Sequence, residues 1–168
     1  MVKRNLAKDW EEMKKTLPDF ERGVISTLNH IEIQLTEIIS VDICEEPKIV
    51  EQRADFFKYF DEMVLERKIN LVKLILKNNY PNILKKYPDY IANLHNLRTI
   101  RNKIAHNTRT FTKSENKIWL TLSHPVIKKS SEDITLGKMK GLIKKSEKVA
   151  TQTQEIRKSI GISNKLKF

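Results

Sequence analysis

The 168-residue chain contains a single cysteine (Cys44), only four glycines and five prolines, and no long apolar run. One cysteine excludes an intramolecular disulfide and is typical of a protein kept in the reducing cytoplasm. So few turn-forming residues argue against a β-sandwich and favour long helices. No stretch approaches the roughly 18 apolar residues of a membrane span, and the first ten residues are charged too often for a signal peptide. We therefore expect a soluble cytoplasmic protein of one domain that does not associate with a membrane.

Positive charge is unevenly distributed along the chain, which has 32 Lys and Arg against 21 Asp and Glu, a formal net charge of +11. Residues 1–60 hold nine basic and twelve acidic side chains, whereas residues 61–168 hold 23 basic and nine acidic ones, net +14. A basic segment of this kind favours RNA as a partner, because neutralised phosphates release counterions. A lysine-rich surface that only keeps the protein soluble is the alternative interpretation.

Apolar residues recur at helical spacing through most of the sequence and predict an all-α, single-domain bundle of the four-helix type. The predicted helices cover residues 2–17, where Pro18 ends the first helix, and then residues 20–41, 65–79, 89–106 and 135–160.

The segments between these helices carry weaker signals. Residues 51–64 predict a short helix or turn that delivers aromatic side chains to the core, and residues 107–117 predict a polar loop. Residues 118–122 have the composition of a strand, so we expect at most a short β-hairpin before the last helix. The resulting domain organisation is an N-terminal helix (1–18), the bundle (19–162) and a C-terminal tail (163–168).

The predicted helix over residues 89–106 has two distinct faces. One is apolar and contains Tyr90, Leu94, Leu97, Ile100 and Ile104. The other, which we call the polar stripe, contains His95, Thr99, Asn102 and His106, at spacings of four, three and four residues. A face that is merely solvated would carry Lys and Glu in this chain. The stripe therefore favours a groove between helices or between subunits.

The same helix contains Arg101-Asn102-Lys103-Ile104-Ala105-His106, an Arg-Asn-x-x-x-His motif close to its end. The surrounding segment, Leu97–Asn107, resembles the hallmark of HEPN domains, small helical-bundle proteins abundant in bacterial toxin–antitoxin and anti-phage systems. The aromatic-rich segment Phe57–Leu76 is similar to the second-helix region of that family. The resemblance covers roughly residues 20–160.

The resemblance implies a metal-independent endoribonuclease that needs no cofactor, with Arg101, Asn102 and His106 as its active-site residues. These residue types suit cleavage of RNA by its own 2′-hydroxyl. Histidine accepts or donates the proton, arginine stabilises the phosphorane, and the asparagine orients the imidazole or the phosphate. The sequence has no HExxH motif, cysteine cluster or tight carboxylate group near this helix that would suggest a metal site.

Other side chains near the motif are candidates for binding rather than catalysis. The candidate RNA-backbone contacts are Arg98, Lys103, Arg109 and Lys113. On the polar stripe, His95 and Thr99 are candidate interface or substrate contacts, and a structural hydrogen bond is the alternative role for His95.

The spacing of the motif has a geometric consequence. Arg101 and His106 are five residues apart, so on a regular helix they point about 140° away from each other. One chain is therefore poorly placed to close both side chains around one phosphate. We expect a homodimer whose two-fold axis brings two such sets together in a composite site, which the resemblance also implies.

The resemblance points to a toxin or anti-phage effector, and a cognate antitoxin or other regulatory protein is a further expected partner. In HEPN toxins paired with a nucleotidyltransferase antitoxin, the modified tyrosine lies two residues after the histidine. Thr108 stands there in this chain, so that form of neutralisation is not expected at this position.

Two other functions are compatible with the same sequence. One alternative is a non-catalytic HEPN module that binds nucleic acid or a partner protein. The other is a helical adaptor whose basic face contacts an acidic antitoxin. In those cases His106 interacts with the helix dipole, and Arg101 is an arginine at the rim of the core with a buried stem.

Overall fold

The computed structural model describes residues 6–43, 59–60, 62–113, 118–123 and 131–161. In this part of the chain the helices are α1 (Leu6–Ile43), α2 (Leu65–Asn79), α3 (Pro81–Lys86), α4 (Tyr90–His106) and α5 (Leu136–Ser159), and the strands are β1 (Thr108–Lys113), β2 (Ile118–Ser123) and β3 (Ser131–Ile134). The predicted helical class is confirmed. The helices predicted over 65–79, 89–106 and 135–160 are confirmed to within a residue at each end.

Helix α1 is a single helix of 38 residues with Pro18 inside it. The predicted break at Pro18, between a helix over 2–17 and another over 20–41, is therefore wrong. A proline inside a helix removes a backbone hydrogen bond and costs about 3 kcal/mol. However, Met13 and Phe20, seven residues apart on one face, are both buried. Burial of the continuous apolar stripe offsets the cost of the proline.

Helix α1 is the central element of the bundle, because α2, α4 and α5 all pack against it. Helix α4 in turn contacts α2 on one side and α5 on the other. The predicted apolar face of α4 is buried in full, at Tyr90, Leu94, Leu97, Ile100 and Ile104. This burial fixes the rotation of α4 and so determines which of its side chains reach the surface.

A three-stranded antiparallel sheet in the order β1-β2-β3 follows α4, so the expectation of at most a short β-hairpin before the last helix is wrong by one strand. The central strand β2 buries Ile118, Leu120 and Leu122 at alternate positions, which confirms the strand predicted there. The prediction of a polar loop over residues 107–117 is wrong for Thr108–Lys113, which form strand β1. That strand pairs with β2 along its whole length. Its threonine-rich composition fits the edge of a sheet, and its Phe111 ring packs edge-on against Trp10 of α1, with centroids 5.4 Å apart.

Some predictions fall partly or wholly outside the described residues. Cys44, residues 51–58 of the predicted helix or turn, and the tail over 163–168 lie there. At the end of that turn, Phe60 is described and is buried in the core, as the sequence predicted for the aromatic cluster. None of the helices in the described ranges has the length and apolar character needed to cross a membrane.

Candidate active site

The Arg-Asn-x-x-x-His motif occupies the last turns of α4, which remains a regular helix through His106. Asn107 follows with extended backbone, and its N–H donates to the carbonyl of Lys103 at 3.0 Å. Strand β1 then begins at Thr108, so the helix end is held between the bundle and the sheet. The separation of about 140° between Arg101 and His106 therefore applies in the folded chain.

The polar stripe faces solvent. Thr99, Asn102 and His106 are exposed and His95 is half-buried. The hydroxyl of Thr99 donates to the carbonyl of His95 at 3.0 Å. Of these side chains, Asn102 also lines a cavity between helices of the same chain, and an interface between subunits remains a prediction. The stripe offers an amide and an imidazole, one helical turn apart, to whatever approaches α4.

On one flank, the stripe is bordered by basic residues of α5 and by an ion-pair cluster. Lys145 Nζ donates to Asn96 Oδ1 at 3.3 Å. Lys103 and Lys138 each place Nζ 2.5 Å from the carboxylate of Glu132. Burial alone would raise the pKa of Glu132, but the hydrogen bonds from the two lysines outweigh it and lower the pKa below its ordinary value. The single carboxylate of Glu132 is thus shared by two lysines, so it offsets only part of the positive charge of Lys103 and Lys138.

On the other flank, α4 faces α1 and the beginning of α2 across a cavity of about 410 Å³. The cavity is lined by Glu32, Val64, Leu65, Glu66, Arg98, Arg101 and Asn102. Arg98 forms an ion pair with Glu66, and Arg101 Nη1 donates to Asn102 Oδ1 at 3.3 Å. Arg101 and Asn102 therefore belong both to the motif and to the wall of this cavity.

The structure brings some of the predicted site residues together and separates others. Arg101 and Asn102 are hydrogen-bonded to each other, while His106 lies one turn further along and does not line the cavity. Of the remaining predicted RNA contacts, Arg109 pairs with Glu21 and donates Nη2 to the carbonyl of Ile104 at 3.2 Å. Lys113, in contrast, is exposed at the end of β1.

Sequence reasoning missed the acidic side of the site. Glu32 and Glu66 come from two other helices, and neither belongs to a recognisable motif. One signal was available at Lys68, which shares the apolar face of α2 with Leu65 and Ile69. A lysine at such a position needs a buried partner. In the structure Lys68 is fully buried, with its Nζ 3.2 Å from Glu32 Oε1.

Within the described ranges, no group of three or more His, Cys, Asp or Glu residues is placed to hold a metal ion. Comparisons with models of protein families, with curated proteins and with solved structures find no match. Function is therefore inferred from the side chains of α4 and their surroundings.

Proposed function

We propose that this chain is a metal-independent endoribonuclease of the HEPN type, working as a homodimer and serving as a toxin or an anti-phage defence effector. The observation that carries the proposal is the arrangement of Arg101, Asn102 and His106 at the end of α4. A guanidinium is hydrogen-bonded to an exposed amide, and an exposed imidazole follows one turn later on the same face as the amide. These are the groups that cleavage of RNA by its own 2′-hydroxyl requires.

In the proposed reaction, the 2′-oxygen attacks the adjacent phosphorus while an imidazole accepts its proton. The bond to the 5′-oxygen breaks, and a water molecule donates the proton that this leaving oxygen needs and takes up the proton held by the imidazole. The products are a 2′,3′-cyclic phosphate and a 5′-hydroxyl. Arg101 neutralises the charge that develops on the phosphoryl oxygens, as a planar guanidinium fits two of them at once.

The homodimer is part of the proposal because one chain supplies only half of this arrangement. Arg101 lies at the edge of the buried face of α4, whereas His106 projects from the polar stripe. A second chain, packed stripe to stripe about a two-fold axis, places its His106 opposite Arg101 of the first chain, and the symmetry creates the same pair a second time, so the dimer has two equivalent sites. The polar stripe is solvent-exposed in the single chain, which leaves it free for such packing.

A second function, a non-catalytic module that binds a protein partner, is favoured by a different observation. Arg98, Lys103 and Arg109 form ion pairs with carboxylates of the same chain. These pairs reduce the free positive charge around the motif, and with it the expected attraction for an RNA backbone. The two functions differ in whether RNA is cut.

The experiment is cleavage of single-stranded and structured RNAs by the purified chain in EDTA, with His106→Ala and His30→Ala compared. His30 is an exposed histidine of α1 that contacts Gln34, so its substitution is a matched control. We expect wild-type and His30→Ala protein to cleave, and His106→Ala to lose about 100-fold or more in rate. Intact RNA with the wild-type protein, or equal cleavage by His106→Ala, contradicts the proposal.

The same substitution is informative in cells. If the chain is a toxin or defence effector, its expression arrests growth, and His106→Ala relieves the arrest while circular dichroism shows the fold retained. Arrest that persists with His106→Ala favours the binding module over the nuclease.

A further inference from the structure

The cavity beside Arg101 and Asn102 has the size and the opening of a ligand site. Its volume of about 410 Å³ lies within the range of small-molecule pockets. Leu65 is nearly buried, whereas the side chain of Glu66 is 56% exposed and Asn102 is exposed. The cavity thus combines a small apolar surface at the beginning of α2 with polar side chains from α1, α2 and α4.

The charged groups of the cavity are two carboxylates, from Glu32 and Glu66, and two guanidiniums, from Arg98 and Arg101. The carboxylate of Glu66 lies against the guanidinium of Arg98, so an acceptor and a donor fork stand side by side. Glu32 contributes a second carboxylate, which the buried Lys68 holds in place from within the core. A carboxylate has about four lone-pair sites, so one ion pair leaves further acceptor capacity on Glu66.

This pattern is complementary to one nucleobase in particular. Guanine presents O6 as an acceptor next to two donor groups, N1–H and the N2 amine, along one edge. A carboxylate accepts from both donor groups, and a neighbouring guanidinium donates to O6. Adenine and cytosine place a ring-nitrogen acceptor beside their amine, and uracil flanks its N–H with two carbonyls. All three would set an acceptor against the carboxylate, which disfavours them.

We propose that this cavity binds a guanine base of the RNA substrate and thereby selects the nucleotide next to which the chain cleaves. The inference rests on the proposed ribonuclease function, because it assigns the cavity to the same substrate. Arg101 and Asn102 join the two regions, as they line the cavity and belong to the motif. Because Arg101 itself lines the cavity, the phosphate of a nucleotide held there is within reach of the guanidinium that neutralises phosphoryl charge in the proposed reaction.

The test is the sequence preference of cleavage, measured on RNAs that contain all four nucleotides in equivalent positions. We expect wild-type protein to prefer sites next to guanosine. Glu66→Gln keeps the shape of the side chain but replaces one of its two acceptor oxygens with a donor. It should therefore lower the ratio of cleavage next to guanosine over cleavage next to adenosine about tenfold or more. Glu147→Gln, an equal change at an exposed position of α5, should leave the ratio unchanged. Equal cleavage at all four nucleotides, or an unchanged ratio in Glu66→Gln, overturns the proposal.

A binding measurement separates this proposal from the proposed function. The affinity of His106→Ala protein is measured for guanosine 5′-monophosphate and, for comparison, for adenosine 5′-monophosphate. A second experiment repeats both titrations with a chain that carries Glu66→Gln as well as His106→Ala. If RNA is not cut but the guanosine nucleotide binds about tenfold more tightly and depends on Glu66, the nuclease proposal fails and the cavity proposal stands. If RNA is cut but the two nucleotides bind alike, the cavity proposal alone fails. Arg98→Lys, which keeps the charge and loses the fork, should also weaken guanosine binding if Glu66→Gln fails to fold.

Discussion

The composite site predicts that two inactive variants restore activity when they are mixed. Arg101→Ala removes the guanidinium and His106→Ala removes the imidazole, and each should be inactive alone. Since the two side chains point about 140° apart on a helix that stays regular through His106, we expect each phosphate to meet Arg101 of one chain and His106 of the other. A dimer that contains one chain of each variant then keeps one intact site and has one site that lacks both groups.

The size of the recovery follows from symmetry. Random exchange of equal amounts of the two variants makes half of the dimers mixed, and each mixed dimer has one working site of two, so about a quarter of the wild-type rate should return. The assay is the initial rate of RNA cleavage after the variants are incubated together, compared with each variant alone. A chain that carries both substitutions is the control, because mixing it with either variant leaves no intact site. No recovery on mixing, together with wild-type activity at concentrations where the chain is monomeric, would refute the composite site.

Three further predictions concern the structure that supports the site. Leu97→Ala should lower the free energy of unfolding by about 2–5 kcal/mol in urea titrations, because Leu97 is fully buried beneath the motif; a loss below 1 kcal/mol would contradict the packing of α4. Lys68→Ala should lower the same quantity by about 3 kcal/mol or more, because it removes one partner of an ion pair with a fully buried lysine and Glu32. Lys68→Met fills the space but also removes the charge that faces Glu32, so it should lose nearly as much as Lys68→Ala, and recovery of most of the loss in Lys68→Met would show that the ion pair contributes little. The pKa of Glu132 is lower in the folded chain than its ordinary value, so the stability it supplies is present at neutral pH and is lost as the pH falls below about 5. Thermal unfolding should therefore show a melting temperature difference between wild-type and Glu132→Gln protein that is largest near pH 7 and shrinks in acid; a difference that is constant with pH would contradict the cluster with Lys103.

The fold was predictable where the signal is local and repeated. The apolar face of α4 recurs every three to four residues, so its burial at Leu97 and Ile104 follows from helix geometry. Two features depend on distant contacts and were mispredicted. Pro18 is accommodated because Met13 and Phe20 are buried on either side of it, and the local sequence does not show that this burial outweighs the cost of the proline.

Strand β1 was mispredicted for a similar reason. Its residues, Thr108–Lys113, are mostly polar and give no alternating apolar pattern. They form a strand because β2 lies beside them, with Phe111 opposite Leu120. Pairing of this kind depends on a neighbouring strand and on the turn that connects the two, so composition alone favours a loop.

The same distinction between local patterns and long-range contacts applies to the candidate site. Arg101, Asn102 and His106 lie within six residues on one helix, so their relative placement follows from the sequence. The partners of Arg98 and the cavity could not be predicted in the same way. Glu66 and Glu32 reach the site from α2 and α1, and only tertiary packing determines which carboxylate meets which guanidinium.

The most direct measurement of the central claim is the chemical nature of the RNA ends after cleavage by the purified wild-type chain in EDTA. Attack by the 2′-hydroxyl predicts a 2′,3′-cyclic phosphate on one fragment and a 5′-hydroxyl on the other, with both products absent when His106→Ala protein is used. Fragments that carry a 5′-phosphate, or the same ends produced by His106→Ala protein, would contradict the account.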